Sequence, residues 1–146
     1  MRNPINLPLW ALALTLGQLA VAPVLLAEEL PPGSVIITKG EPVKASSYDK
    51  EAKDASGSLT GIEVLCTKGP TKVDKKTADL LAATDKSPTA AKKGSAWQLT
   101  RAGYVQLLGG TVSLQPKPKS PRHCVISGLS PDALAKAWGV CQAGGC

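Results

Sequence analysis

Gly61-Ile62-Glu63-Val64-Leu65-Cys66 is the stretch of this sequence that decides the fold. Its apolar, β-branched residues predict a strand over 62–67, with a cysteine close to its end. A second cysteine, Cys124, lies in another apolar run, within a strand predicted over 123–127. Because a disulfide can bridge adjacent strands, these two strands are expected to be neighbours in one sheet.

Further strands are predicted on both sides of this pair. β-Branched or alternating apolar residues predict strands over 35–38, 95–100 and 111–115, while 104–108 fits either a strand or a helix. Residues 39–60 are poor in apolar residues and are expected to form a long loop, with a helical turn near 49–55. Gly69-Pro70 and the proline-rich segment 116–122 are expected to break the chain.

Two segments carry helix signals. Thr71-Lys72-Val73-Asp74 resembles a capping box, followed by apolar spacing to about residue 83. Ser130-Pro131-Asp132 is a stronger helix start, since Ser caps, Pro suits the first turn and Asp favours the positive end. The elements together predict an α+β fold: a small antiparallel β-sheet with one or two packed helices, held by disulfides.

The N-terminus predicts export. Arg2 precedes an apolar stretch that runs from Leu7 to Ala27, and charge returns at Glu28. We therefore expect a signal peptide over 1–27 and a single exported domain over 28–146, in which 28–34 form an irregular segment. Cleavage after Ala22 suits the small-residue rule but places Pro23 after the cut. An uncleaved membrane anchor is the alternative, because the stretch has about the ~20 residues that span a bilayer.

The four cysteines are expected to form two disulfides in an exported chain. We favour Cys66–Cys124 together with Cys141–Cys146, whose Gln-Ala-Gly-Gly spacer is pliable. A Cys66–Cys141 bridge is the main alternative. The localisation that follows is periplasmic or secreted.

Catalytic signals are weak. His123 is the only histidine, so a multi-histidine metal site is excluded, and its neighbour Cys124 would point to the opposite face of a strand. Ser47-Tyr48-Asp49-Lys50 matches a Ser-x-x-Lys pattern without the accompanying motifs of penicillin-recognising enzymes. Cys141 and Cys146 lack the Cys-x-x-Cys spacing of redox motifs. No catalytic residue, metal site or cofactor is predicted.

The chain is basic, with 17 Lys and Arg against 11 Asp and Glu, and a net charge of +6. A positive domain favours an anionic partner, although lysines also serve solubility. Few arginines and aromatic residues argue against nucleic acid. The candidate contact residues for a partner are Lys68, Lys72, Lys75, Lys76, Lys117, Lys119 and Arg122.

Three functional hypotheses remain. The first is a non-catalytic binding module of the bacterial cell envelope, such as an inhibitor, an immunity-type protein or an accessory protein, with a protein or anionic envelope partner. The second is a thiol-active or hydrolytic envelope enzyme that uses Cys141 and Cys146, or Cys124 and His123. The third is a lysine-driven binder of anionic envelope polymers or lipid. Membrane association is expected only if the signal segment stays uncleaved.

Overall fold

The computed structural model describes residues 27–40, 43–86 and 96–142. Every pairing between the described strands is antiparallel, in the order β1-β5-β6-β3-β2-β4. The sheet and its helices confirm the predicted α+β class, with three described α-helices instead of one or two. The strands are β1 (Glu28–Glu29), β2 (Ser34–Lys39), β3 (Ile62–Pro70), β4 (Trp97–Arg101), β5 (Thr111–Leu114) and β6 (His123–Ser127). The helices are α1 (Lys75–Thr84), α2 (Ala102–Leu107) and α3 (Pro131–Gln142).

The strand that contains the opening stretch, β3, lies inside the sheet between β6 and β2. Alternation along it directs Val64 and Cys66 to one face and Glu63 and Leu65 to the other. The first face packs against α2 and α3 in the larger apolar core. On the second face Leu65 joins a smaller cluster beneath α1. The sheet is therefore covered on both faces, but by different helices.

Helix α1 sits over β2 and β3 only in part. Ala78 and Leu81 pack on Val35, Ile37 and Leu65, which are buried on that face of the sheet. Glu63 lies on the same face, and so does the residue opposite Leu65 on β6, which is His123. Two polar side chains, Glu63 and His123, therefore lie on the same face of the sheet as the apolar cluster beneath α1.

The predicted bridge between the two strands is confirmed: Cys66 and Cys124 form a disulfide with Cα atoms 6.0 Å apart. Cys124 pairs with Val64 across the ladder, so Cys66 is its diagonal neighbour, at a spacing that a disulfide spans. This excludes the alternative Cys66–Cys141 bridge. Cys141 is disulfide-bonded as well, and its predicted partner Cys146 lies outside the described residues.

Of the two predicted helix starts, the one at Ser130 is confirmed and the one at Thr71 is not. Ser130 caps α3 as predicted, since its Oγ accepts a hydrogen bond of 3.2 Å from Ala133 N. On α1 the capping residue is Asp74, whose Oδ1 accepts a 2.9 Å bond from Thr77 N. The prediction of Thr71 as the cap was therefore wrong by three residues, because a carboxylate at the helix start is itself a good N-cap.

The segment 28–34 is more regular than predicted. Glu28 and Glu29 pair with β5, and the next residue, Leu30, is buried in the larger core. Leu30 N donates to Val112 O at 3.0 Å, and Gln106 Nε2 donates to Leu30 O at 2.8 Å. Residues 30–33 form no helix or strand, as expected of an irregular segment, whereas Glu28 and Glu29 form a short edge strand next to the buried Leu30.

Other local expectations also changed. The helical turn predicted near 49–55 instead forms earlier, as a 3₁₀ helix over Ala45–Tyr48. β3 continues beyond its predicted end at 67 and includes Gly69 and Pro70 as its last two residues. The register of its pairing with β2 shifts between Ser34 and Ile36. The ambiguous run 104–108 contributes to a helix, α2.

Residues 1–26 are outside the described part of the chain, so the predicted signal peptide falls there except for Ala27. Among the residues that the structure does describe, no helix has the length and apolarity needed to cross a membrane.

Candidate ligand pocket

A pocket of about 210 Å³ opens on the α1 side of the sheet. It lies between the C-terminal end of α1, the start of β4 and the loop that joins β5 to β6. Charged, polar and apolar side chains share its wall. They include Ile37, Lys39, Glu63, Leu65, Asp85, Trp97, Lys117, Ser120 and His123.

His123 is a buried residue of the pocket wall, with 6% of its surface exposed. Its Nδ1 lies 2.9 Å from the carbonyl oxygen of Gln115. A carbonyl only accepts, so the Nδ1 atom of His123 must carry a proton there. Its Nε2 lies 3.3 Å from Glu63 Oε1, yet it has no hydrogen-bond partner among the described residues. One buried ring nitrogen thus faces a carboxylate without the alignment of a hydrogen bond.

Glu63 faces the side-chain nitrogens of two residues, Lys117 and His123. Lys117 Nζ donates a hydrogen bond of 2.6 Å to its Oε1, the same oxygen that faces His123. The hydrogen bond from Lys117 is the main cause that lowers the pKa of Glu63, while partial burial opposes it. Glu63 is therefore ionised at neutral pH. Its side chain is mostly exposed and stays accessible from the pocket.

The β5–β6 loop positions Lys117 through a tight turn. Lys117 N donates to Ser120 O at 3.0 Å, and Ser120 N donates back to Lys117 O at 2.9 Å. Lys86 N, just after α1, donates to Lys119 O at 2.6 Å. Because Pro116, Pro118 and Pro121 also restrict the backbone of this loop, Lys117 is held against β3 by a stiff frame.

The pocket contains a serine, a histidine and a glutamate, which raises the question of a catalytic triad. In a triad, one ring nitrogen faces the carboxylate and the other faces the serine hydroxyl. Here the ring nitrogens of His123 face Gln115 O and Glu63 Oε1, and no hydrogen bond joins either of them to Ser120 within the described structure. The described residues therefore do not form the Ser–His–carboxylate hydrogen-bond chain of a triad.

The cysteine candidates are bonded. Cys124 is joined to Cys66, so its sulfur is not a thiolate next to His123, and the two side chains point to opposite faces of β6. The described part of the chain holds no free cysteine. Ser47, from the Ser-x-x-Lys pattern, lies on the 3₁₀ helix, where its Oγ accepts a 3.2 Å bond from Lys44 N.

The predicted basic residues do not act as one set. Three of them have acidic partners: Lys117 with Glu63, Lys75 with Asp79 at 2.8 Å, and Lys72 with Asp74 at 3.9 Å. The predicted residues also lie on different parts of the fold. Those from 68 to 76 lie on β3, on α1 or between them, whereas those from 117 to 122 belong to the β5–β6 loop. The others form no ion pair within the described ranges; they are Lys68, Lys76, Lys119 and Arg122.

Sequence reasoning named Lys117 and His123 but not their grouping around Glu63. A signal was present, since Glu63 is the one charged residue of the predicted strand 62–67, and the predicted disulfide already placed that strand beside 123–127. Among the described residues no group of three or more His, Cys, Asp or Glu side chains could hold a metal ion.

No family model, no curated protein and no solved structure matches this chain.

Proposed function

We propose that this chain is a small, non-catalytic binding protein of the bacterial cell envelope, periplasmic or secreted, of the inhibitor, immunity-type or accessory kind. The observation that supports it most is the pocket beside α1. It offers fixed charged and polar groups together with an apolar wall, as ligand sites do, without a nucleophile held by His123.

The proposed export has two supports. The Cys66–Cys124 disulfide indicates an oxidising, non-cytoplasmic environment. The first described strand begins at Glu28, directly after the proposed cleavage site at Ala27, so removal of the leader would leave all pairings of β1 in place. Intact-mass measurement of the exported protein checks this: the mass of residues 28–146 is expected, and the mass of the full chain would contradict it.

Binding fits the site better than the alternative chemistries. A hydrolase that uses Cys124 and His123 would first have to break the buried bridge to Cys66. A polyanion binder would use unpaired cations, and Lys117, Lys75 and Lys72 each face a carboxylate, which reduces their attraction for a polymer. Such a binder would have to rely on the other four predicted residues, Lys68, Lys76, Lys119 and Arg122.

The test is an affinity pull-down from bacterial envelope extracts with the oxidised, exported protein. The matched control is the double variant Glu63→Gln, Lys117→Gln, which removes one charge of each sign and keeps the net charge unchanged. Wild type is expected to enrich a partner that the double variant does not. Equal enrichment by both proteins that disappears at high salt would favour the lysine-driven alternative, and no enrichment by either would overturn the proposal.

A further inference from the structure

Among the described residues that line the pocket beside α1, negative and positive side chains occur in equal number. Glu63 and Asp85 contribute carboxylates, and Lys39 and Lys117 contribute ammonium groups. An anionic ligand would meet the two carboxylates, and a cationic ligand would meet the two lysines. The set fits a ligand that is uncharged but rich in both donors and acceptors.

One side of the pocket is apolar and includes an aromatic ring. Trp97, at the start of β4, is half-buried and packs against the cluster beneath α1, while Ile37 and Leu65 are buried next to it. An indole held in this way presents a flat apolar surface together with a polar N–H. A ligand that suits the pocket therefore combines an apolar face with polar groups around its rim.

The size of the pocket limits the ligand further. About 210 Å³ is below the roughly 300–1,000 Å³ of sites that enclose a drug-sized molecule. It accommodates one ring-sized unit, with the remainder of a longer ligand outside. Since strands β2, β3 and β6 and a proline-braced loop supply much of the wall, we expect little rearrangement of these parts on binding.

From these features we infer that the pocket binds one unit of an uncharged saccharide. This inference rests on the proposed binding function and names its ligand class. The ring of the sugar lies with its C–H face on Trp97. Glu63 and Asp85 accept hydrogen bonds from its hydroxyl groups, and Lys117 donates to a ring or hydroxyl oxygen.

The test uses nuclear magnetic resonance of the oxidised, exported protein with three neutral probes: maltotriose, cellotriose and chitotriose. Heparin serves as the polyanion. We expect at least one neutral probe to give a saturable shift of the Trp97 indole N–H that persists at high salt. The Trp138 indole is buried in the other core and serves as the internal reference.

Two variants locate the site. Glu63→Gln keeps the shape of the side chain and is expected to weaken binding by about tenfold, the loss of a hydrogen bond to a charged group. Lys136→Ala changes an exposed lysine of α3 that does not line the pocket, and it is expected to leave affinity unchanged. Equal affinity in Glu63→Gln and wild type would overturn the assigned role of this pocket.

The remaining outcomes separate this inference from the proposed function. Absence of a saturable shift with all three neutral probes, with a pull-down partner that still depends on Glu63 and Lys117, would overturn the saccharide and leave the binding function standing. A shift with heparin alone that high salt abolishes would also overturn the saccharide. Failure of both the titration and the pull-down would overturn both.

Discussion

Trp138 Nε1 donates a hydrogen bond of 2.8 Å to the hydroxyl of Tyr48, 90 residues earlier in the chain. Trp138 lies on α3 and is 1% exposed, and Tyr48 ends the 3₁₀ helix. Lys53 Nζ donates to Tyr48 O at 2.8 Å and so holds the following backbone in place. The long segment between β2 and β3 is therefore tied to the C-terminal helix by a buried polar bond.

Replacing Tyr48 by Phe is expected to destabilise the protein by about 1–3 kcal/mol, because the Trp138 N–H then stays buried without its acceptor. A double-mutant cycle with Trp138→Phe, measured by urea unfolding, isolates the bond. We expect a coupling free energy of at least ~0.5 kcal/mol between the two sites. Strict additivity of the two single changes would show that the bond contributes nothing beyond packing.

The same tyrosine predicts a loss of stability at high pH. Burial is the main cause that raises the pKa of Tyr48 to about 12, against an ordinary value of 10.0. The unfolded chain therefore loses this proton first as the pH rises. Protonated Tyr48 contributes about 2–3 kcal/mol to the free energy of unfolding, at ~1.4 kcal/mol per pKa unit. This contribution is complete below pH 10 and is lost between pH 10 and about 12.

The measurement is the free energy of unfolding of wild type and Tyr48→Phe across this pH window. The two proteins differ only at residue 48, so the difference between the two curves reports Tyr48. A difference that stays constant up to pH 12 would contradict the raised pKa.

Removal of the Cys66–Cys124 disulfide is expected to cost about 3–4 kcal/mol. The bridge closes a loop with a sequence separation of 58, which restricts the unfolded chain strongly. Both cysteines are fully buried, so Cys66→Ala together with Cys124→Ala also leaves a small void. Thermal unfolding of the double variant checks the size of the loss. An unchanged melting temperature would mean that the surrounding strands alone fix this part of the sheet.

Replacement of glycine by alanine is expected to have opposite effects on stability at Gly110 and at Gly139. A Cβ at Gly110 would lie 2.6 Å from Leu129 Cγ and 2.9 Å from Val105 Cγ1, so Gly110→Ala is expected to destabilise by about 1–3 kcal/mol. At Gly139, within α3, a Cβ meets no atom of the described structure within 4 Å. Gly139→Ala is expected to stabilise by roughly 0.5–1 kcal/mol, since alanine is the better helix former. Chemical denaturation of both variants decides, and the same sign for both would contradict the packing argument.

The sheet was predictable where patterns were long and local signals agreed. The alternation in β3, β4 and β6 placed their strands, and the Cys66–Cys124 bridge followed from treating two apolar runs as neighbours. α2 was not predictable, because the apolar spacing of a run as short as 104–108 fits a helix and a strand equally well. Its helical form depends on packing within the larger core. The burial of Leu30 depends on β5, far along the chain.

Only part of the pocket could be predicted from the sequence. The predicted adjacency of β3 and β6 was sufficient to bring Glu63 and His123 onto one face. The position of Lys117 was not, because it depends on a turn within a loop whose three prolines predict stiffness but no direction.

The Glu63–Lys117 pair gives the last prediction, which concerns acid pH. The hydrogen bond from Lys117 is the leading cause that lowers the pKa of Glu63. A depressed folded-state pKa stabilises the protein above the ordinary glutamate range, and this contribution is lost as the pH falls through the folded-state value. Because both side chains are largely exposed, we expect less than ~1 kcal/mol of stability from the pair.

The titration itself is the sharper measurement. The carboxyl resonance of Glu63, followed by nuclear magnetic resonance, should titrate below the ordinary range in wild type and move upward in Lys117→Met. Lys119→Met, two residues along the same loop, is the matched control and should leave the Glu63 titration in place, since Lys119 forms no ion pair in the described part of the chain. An identical Glu63 titration in wild type and Lys117→Met would mean that this lysine does not hold the carboxylate in solution, and the arrangement of acceptors proposed for the pocket would lose its support.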